Sequence, residues 1–398
     1  MLLGSYLGDA LGGPIEFQSK ADIASLPHPP KTWTDDEKLT QGALKKTRNR
    51  LRLRPYNPLR PQPEPYGHWK PDAPAGTVTD DSRHKFILIE WLRECLAKDF
   101  PVALTPKAYA TAMLDWPSSK LFATHPDYAL LNQAWLSEWW TGARWVAGIQ
   151  MDQALPPSRL WGGKATCSGQ MALLPLAALF PSAMLDEAYK TTYHLGWFDN
   201  GIGKDLNACL VVGLSALIAD QTRPTEHRSL IQVFLNSMKS TDPYRYGQVP
   251  WVTRPATHWI ERAESMVKSA NKRPARLFAN LEKEFSATIK WEAQVPFTVA
   301  IACLLLADQD PLAALQLSLE WGHDTDSYAQ IVGAVIGAMY GPLVFPQDAV
   351  AVIENRLTSD YRVDIHSDAA LLRKLRDKAA AGELPLGLPP NNPRDENQ

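Results

Sequence analysis

The 398-residue chain is short of cysteine, of net charge and of long apolar runs, and each shortage argues against a class of protein. Its four cysteines, Cys95, Cys167, Cys209 and Cys303, stand singly, with no C-x-x-C pair. That argues against a disulfide framework or a zinc–thiolate cage, and reduced core thiols in a cytosolic protein are expected. The formal charge is −2, from 41 Lys and Arg against 43 Asp and Glu. Such a balance argues against a general nucleic-acid binder held by phosphate neutralisation. The longest apolar runs, Ala208–Ala219 and Ile331–Phe345, fall short of the roughly 20 residues that span a bilayer. The first residues lack a basic segment, and Asp9 interrupts them before they form a secretory signal. A soluble, cytoplasmic protein without a membrane partner is expected. H-E-x-x-H and G-x-S-x-G are also missing. Gly201-Ile202-Gly203-Lys204 is no phosphate loop, because its spacing is wrong and Asp205 stands where Ser or Thr is needed.

Strand alternation is nearly absent as well, and 45% of the residues are hydrophobic, enough for a large core. Apolar residues recur at helical spacing over Phe86–Leu96, Met171–Phe180, Leu206–Ala219, Val299–Leu306 and Ile331–Met339. The pattern predicts an all-α fold in which neighbouring helices bury one another's apolar stripes. Two segments depart from it. Residues 27–76 are rich in Pro, Arg and Lys, with seven cations in the sixteen residues from Lys45 to Arg60. A long loop or docked insertion is expected there. Residues 382–398 are proline-rich and polar, and a frayed tail is expected. The helical region between is continuous, so residues 1–381 read as one domain carrying an insertion.

Three motifs could carry chemistry. The first is Trp321-Gly322-His323-Asp324-Thr325-Asp326-Ser327, which sets Asp324, Asp326 and Ser327 directly before an apolar helical run. Side chains two apart diverge on a regular helix, but at a helix N-terminus they can converge. The bland reading is a helix cap; two acids around a Thr, followed by Ser, exceed what a cap needs. In the helix that follows, Ala329, Gly333, Gly337 and Gly341 repeat every four residues. Helix-interior glycine costs roughly 0.5–1 kcal/mol against alanine, so a close approach to another helix is expected. The second motif is Thr79-Asp80-Asp81-Ser82, again before an apolar helix. Adjacent carboxylates repel, and a cation between them explains the pair most easily. The third is Gly8-Asp9 through Gly12-Gly13-Pro14, where a helix breaks before Glu16. Together these oxygens suit Mg²⁺ or Mn²⁺ and not zinc. Two such ions about 3.5–4 Å apart could clamp a hydroxyl pair or polarise a water. Thr34-Asp35-Asp36 repeats the Thr-Asp-Asp triplet, but no apolar stripe follows it, and it reads as a solvated acidic stretch. Asp199, Asn200 and Asp205 read as helix caps, and the tryptophans mostly as core; Trp197 and Trp321 are candidates to stack on an adenine.

GDALGGPIEF, then TDDS, then HDTDS with the glycine-spaced helix resembles the ADP-ribosylglycohydrolase family. That family includes the ADP-ribosylarginine and ADP-ribosylserine hydrolases and the glycohydrolase that reactivates dinitrogenase reductase. The motifs run in the family's order from residue 4 to about 341. The resemblance implies a compact, orthogonal multi-helix domain with a binuclear Mg²⁺ or Mn²⁺ centre. It makes Glu16, Thr79, Asp80, Asp81, Asp324, Asp326 and Ser327 the metal shell, with Glu16, Asp80, Asp81 and Asp324 at the chemistry and Asp9 in support. Cys167-Ser168-Gly169-Gln170-Met171 stands where the family has a glycine-rich diphosphate loop, implying substrate contacts from Ser168 and Gly169. Tyr193-His194 resembles a family Thr-His pair whose histidine touches a ribose hydroxyl, which implies the same of His194. The implied activity is hydrolysis of the glycosidic bond of ADP-ribosylated acceptors, chiefly protein side chains, with an ADP-ribosylated protein or an ADP-ribose-containing small molecule as the partner. Departures are His323 for a usual glycine, Ala172 for a usual arginine, and the basic insertion. They motivate an alternative: a non-catalytic ADP-ribose-binding or immunity protein that neutralises an ADP-ribosylating toxin by binding it.

Overall fold

The computed structural model describes all residues except 19, 27–28, 41–50, 57–72, 101–102, 117–125, 219–225, 247–250, 309 and 388–398. Of residues 20, 126–135 and 227–228 it describes the backbone alone. Among the described residues there is no strand, only an isolated bridge between Thr166 and Glu292. The helices run in the order α1 (Leu2–Gly12), α2 (Lys20–Ser25), α3 (Asp80–Ala97), α4 (Pro106–Asp115), α5 (Pro126–Ala147), α6 (Ser168–Ala172) and α7 (Leu185–Leu195). There follow α8 (Ile202–Ile218), α9 (His227–Ser240), α10 (Pro255–Ala270), α11 (Pro274–Glu284), α12 (Gln294–Ala307), α13 (Pro311–Glu320), α14 (Thr325–Tyr340), α15 (Gln347–Tyr361) and α16 (Ile365–Ala380). No helix among the described residues is long and apolar enough to cross a membrane.

At the centre lies α14, whose residues from Thr325 to Met339 are all buried. A helix apolar on every side belongs inside the core, and α1, α12, α13 and α8 surround this one. Against α1 the two backbones nearly touch. A Cβ added at Gly333 would sit 2.0 Å from the Gly4 carbonyl oxygen, one at Gly8 2.0 Å from that of Ala329, and one at Gly12 2.4 Å from the Asp326 nitrogen. The glycines of α14 therefore face a matching four-residue stripe on α1: Gly4, Gly8 and Gly12. Gly341 does not share that role. It follows the helix as its C-cap at φ 76° and ψ −175°, an extended positive-φ conformation open essentially to glycine alone, with open space where a side chain would be.

Two other expectations need correction. Met171–Phe180 is not one helix, because Pro175 cannot continue an α-helical ladder. The chain instead ends α6 at Ala172 and makes a 3₁₀ turn over Leu174–Ala178. Nor does a tail begin at 382: Leu384 is buried, and Leu104 N donates to Pro385 O at 2.8 Å. Of this segment, residues 388–398 lie outside the described part. Most of the Lys45–Arg60 stretch does too, since 41–50 and 57–72 are not described. The flanking parts of the insertion dock on the body: Trp33 and Leu39 are buried, Trp33 Nε1 donates to Glu320 Oε2 at 2.5 Å, and Leu39 N donates to Lys272 O at 2.7 Å. Thr34, Asp35 and Asp36 are exposed.

Candidate metal centre

Three helix ends meet around one acidic cluster. The chain leaves α1 through a 3₁₀ turn at Gly13–Ile15, which presents Glu16. Thr79 caps α3, its hydroxyl accepting from Asp81 N at 3.2 Å, so Asp80 and Asp81 open that helix. Asp324 holds the cap position of α14, yet its side chain accepts no capping bond. Its Oδ2 is buried without any hydrogen-bond partner. That separates the ligand reading from the bland one, since a capping aspartate would be satisfied by helix amides. Asp326 Oδ1 accepts from Ser327 N at 3.0 Å, and Ser327 Oγ lies 3.5 Å from Asp81 Oδ2. Thr325 is turned away from the cluster and donates to the Gly12 carbonyl at 2.9 Å, tying α14 to the end of α1.

Carboxylate oxygens of Glu16, Asp324 and Asp326 lie within 4.8 Å of one another, and so do those of Asp80, Asp81 and Asp326. Asp326 belongs to both groups, so the two potential cation sites share a ligand. Asp9 stands behind them, fully buried. Its two oxygens accept from Thr79 N at 3.0 and 3.1 Å, and its Oδ2 also accepts from Ser82 Oγ. It fixes the start of α3 and leaves the Asp80 and Asp81 carboxylates to the centre.

The electrostatics follow from burial. Asp80 is pushed up to about 7, first by desolvation and then by the charges of Asp326 and Asp9. Asp9 rises to about 6, for desolvation and the Asp326 charge. Asp81 and Asp324 stand well above the ordinary carboxylate range, burial leading and Asp326 next. Acids crowded this way are stable only when protonated or when cations share their charge. All offered donors are oxygens, several of them carboxylates, which suits a hard divalent ion. The residues therefore fit such a group.

Around the centre, the other expected residues fall as follows. Ser168 and Gly169 open α6 beside α14, where Cys167 Sγ is 3.8 Å from Ser327 Oγ. Gly169 N donates to Asp199 Oδ1 at 3.0 Å, and a Cβ there would strike Asp199 Oδ2 at 2.1 Å. His194 ends α7, with Nε2 2.6 Å from the Tyr244 hydroxyl, and burial lowers its basicity. His323, at φ 66°, turns its ring to Glu282 (Nε2 to Oε1 2.6 Å), while its carbonyl accepts from Phe17 N at 2.7 Å. The bulk added at this position is thus tethered to α11. Trp197 and Trp321 are buried at 5% and 3% exposure, too enclosed to offer a ring face to a ligand. Asp205 is no cap: it accepts from Arg254 Nε at 3.0 Å, Tyr189 Oη at 2.7 Å and Ala256 N at 2.9 Å inside the core. Sequence reasoning missed Lys85 and Gln330, both buried against Asp81. The polar side chains at otherwise apolar helix positions were the available signal.

No curated protein sequence matches the chain. One solved structure that it resembles is titled "ADP-ribosylglycohydrolase-related protein complex", with 15% identity, coverage of 94% of this chain and 97% of that one, and a TM-score of 0.47. The family model described as ADP-ribosylglycohydrolase matches residues 1–381, a span that holds all three helix-end motifs of the acidic cluster. The chain belongs to the ADP-ribosylglycohydrolase family.

Proposed function

We propose that the protein is a metal-dependent hydrolase, one domain over residues 1–381, that releases ADP-ribose from ADP-ribosylated acceptors, chiefly protein side chains. The observation that carries this reading is the pair of carboxylate groups sharing Asp326. Asp80, Asp81 and Asp326 would hold one Mg²⁺ or Mn²⁺, and Glu16, Asp324 and Asp326 the other, with Thr79 and Ser327 adding hydroxyl oxygens. When bound, such ions orient a vicinal diol and lower the pKa of a water.

The remaining work falls to the chain. Glycoside cleavage develops oxocarbenium character at the sugar, and a carboxylate held beside it, as at the edge of this cluster, favours the positive charge that arises. Glu16 is only half-buried and ends the turn after α1, so of the acids it is among the most open to an incoming ligand. The α6 start, with Ser168 and Gly169, would face the diphosphate, and His194 a ribose hydroxyl. Gly169 has no room for a side chain against Asp199, whose carboxylate takes the Gly169 amide and fixes the start of α6. We place the protein in a reducing compartment such as the cytoplasm, where singly spaced cysteines stay as thiols.

The test is release of ADP-ribose from an ADP-ribosylated protein, with and without added Mg²⁺ or Mn²⁺. Metal-dependent release supports the reading. Tight binding of ADP-ribose without release would instead favour a binding or immunity protein.

A further inference from the structure

Lys85 lies one helical turn after Asp81 on α3, on the same face. Its side chain is fully buried. Lysine is almost never buried so completely unless its charge is paired. Its Nζ donates to the Asp81 carbonyl at 2.5 Å and to Gln330 Oε1 at 2.5 Å. An ammonium can only donate, so it settles which end of the Gln330 amide faces it. The other end must then point away: Gln330 Nε2 donates to Asp81 Oδ1 at 2.5 Å and to the Gln170 carbonyl at 3.3 Å. Ser5 Oγ from α1 also donates to Gln330 Oε1, at 3.3 Å. Through this chain the ammonium orients the Gln330 amide that engages one Asp81 oxygen. With Oδ1 engaged, Oδ2 is the oxygen left on the Ser327 side of the cluster.

The negative charges acting on Lys85 are Asp81, Asp9, Asp80 and Asp326, three of which belong to the second carboxylate group. A cation placed there offsets their mutual repulsion whether or not a metal is present. It also opposes the entry of further positive charge.

We propose that Lys85 is a resident counter-cation of the metal centre: it holds the acidic cluster together in the ion-free chain, presents Asp81 through one oxygen by way of Gln330, and weakens the affinity for divalent ions in return. The proposal rests on the metal-centre reading above. It makes Lys85 a positioning residue.

The test uses the full chain with Lys85→Met and Lys85→Gln, melted in chelator and in saturating Mn²⁺, with Mn²⁺ affinity measured by titration calorimetry. Both variants should melt below the unsubstituted chain when ion-free, and Mn²⁺ should restore most of the loss, so their Mn²⁺-induced rise exceeds that of the parent. Lys85→Gln, which keeps a donor for Gln330, should bind Mn²⁺ about tenfold or more tightly than the parent. Equal losses with and without Mn²⁺, or unchanged or weaker Mn²⁺ binding, would overturn the proposal. Should the variants fail to fold without metal, recovery of folded protein on refolding with Mn²⁺ supports it, and failure to recover overturns it. A parent that itself shows no response to Mn²⁺ refutes the metal-centre reading and this proposal together. A parent that responds, beside variants that respond no more, refutes only the role of Lys85.

Discussion

Gly333→Ala tests how the fold positions the site. The added Cβ would lie 2.0 Å from Gly4 O and 2.8 Å from Gly333's other neighbour, the Gly4 carbonyl carbon. Non-bonded heavy atoms rest at about 3.5 Å, so α1 and α14 must part by more than about 1 Å. Neither contact is with a flexible side-chain end; both atoms are backbone in a buried helix, and close-packed interiors yield little. Overpacking of that kind costs about 3 kcal/mol or more, which in a domain this large lowers the melting temperature by about 4 °C. The consequence reaches the site, because α14 carries Asp324 and Asp326 while α1 leads into Glu16, and these three must stay within 4.8 Å. Circular-dichroism melts with and without Mn²⁺ would read both effects: a lower ion-free transition and a smaller Mn²⁺-induced rise. Gly341→Ala is the control. It meets nothing within 4 Å but holds φ 76° and ψ −175°, so it should cost about 1–3 kcal/mol of backbone strain and leave the Mn²⁺ response intact. Gly4→Ala combined with Gly333→Ala should cost less than the sum, since one separation serves both. A Gly333→Ala protein as stable and as responsive to Mn²⁺ as the parent would refute the backbone contact.

Other outcomes are expected. Asp326→Asn weakens both carboxylate groups at once, and should abolish the Mn²⁺-induced rise in melting temperature and lower turnover by roughly a hundredfold or more; a variant with normal Mn²⁺ response would show that Asp326 is not shared. Asp35→Ala and Asp36→Ala, at exposed positions, should leave turnover near normal while Asp80→Ala and Asp81→Ala abolish it, and the reverse pattern in a turnover assay would move the site. In the ion-free protein the folded values of Asp9 and Asp80, about 6 and about 7, lie above their ordinary 3.8. The fold then binds more protons than the unfolded chain, so stability is full at low pH and lost as pH rises through about 6–7. Lys85, lowered to about 8, acts in the opposite sense but only above that window. Ion-free melting temperature should therefore fall between about pH 5 and pH 8, and hardly fall in saturating Mn²⁺; an ion-free protein that gains stability over that range would contradict the electrostatics. Arg254→Ala strands the buried Asp205 carboxylate, both groups being 2% exposed, and should cost about 3–5 kcal/mol in a denaturant titration.

The helix-end motifs could be read from the chain because their chemistry is local: two acids before an apolar stripe leave a signature within six residues. The helical class was legible for the same reason, from period alone. What escaped depends on partners far apart in sequence. Lys85 and Gln330 are 245 positions apart, and neither has a local pattern that announces the pairing. Asp205 resembles a cap because it opens α8, whereas its partner Arg254 lies 49 positions on. The stripe on α14 is visible in the sequence, and Gly4, Gly8 and Gly12 of α1 repeat at the same interval, but only the fold shows that the two stripes meet. Gly341 fits the spacing for a different physical reason, an extended positive-φ cap. The Met171–Phe180 reading failed because apolar periodicity outweighed Pro175, which removes an amide that a continuous helix would need.

The most direct measurement is the rate of ADP-ribose release from an ADP-ribosylated protein by the unsubstituted chain and by Asp326→Asn, each in chelator and in saturating Mn²⁺ or Mg²⁺. A hydrolase built on the shared carboxylate releases ADP-ribose only as the unsubstituted chain with metal, and the other three conditions stay near background. Equal release in chelator, or release undiminished in Asp326→Asn, would contradict the metal centre as the seat of the reaction. ADP-ribose binding with no release under any condition would contradict the assignment as an enzyme.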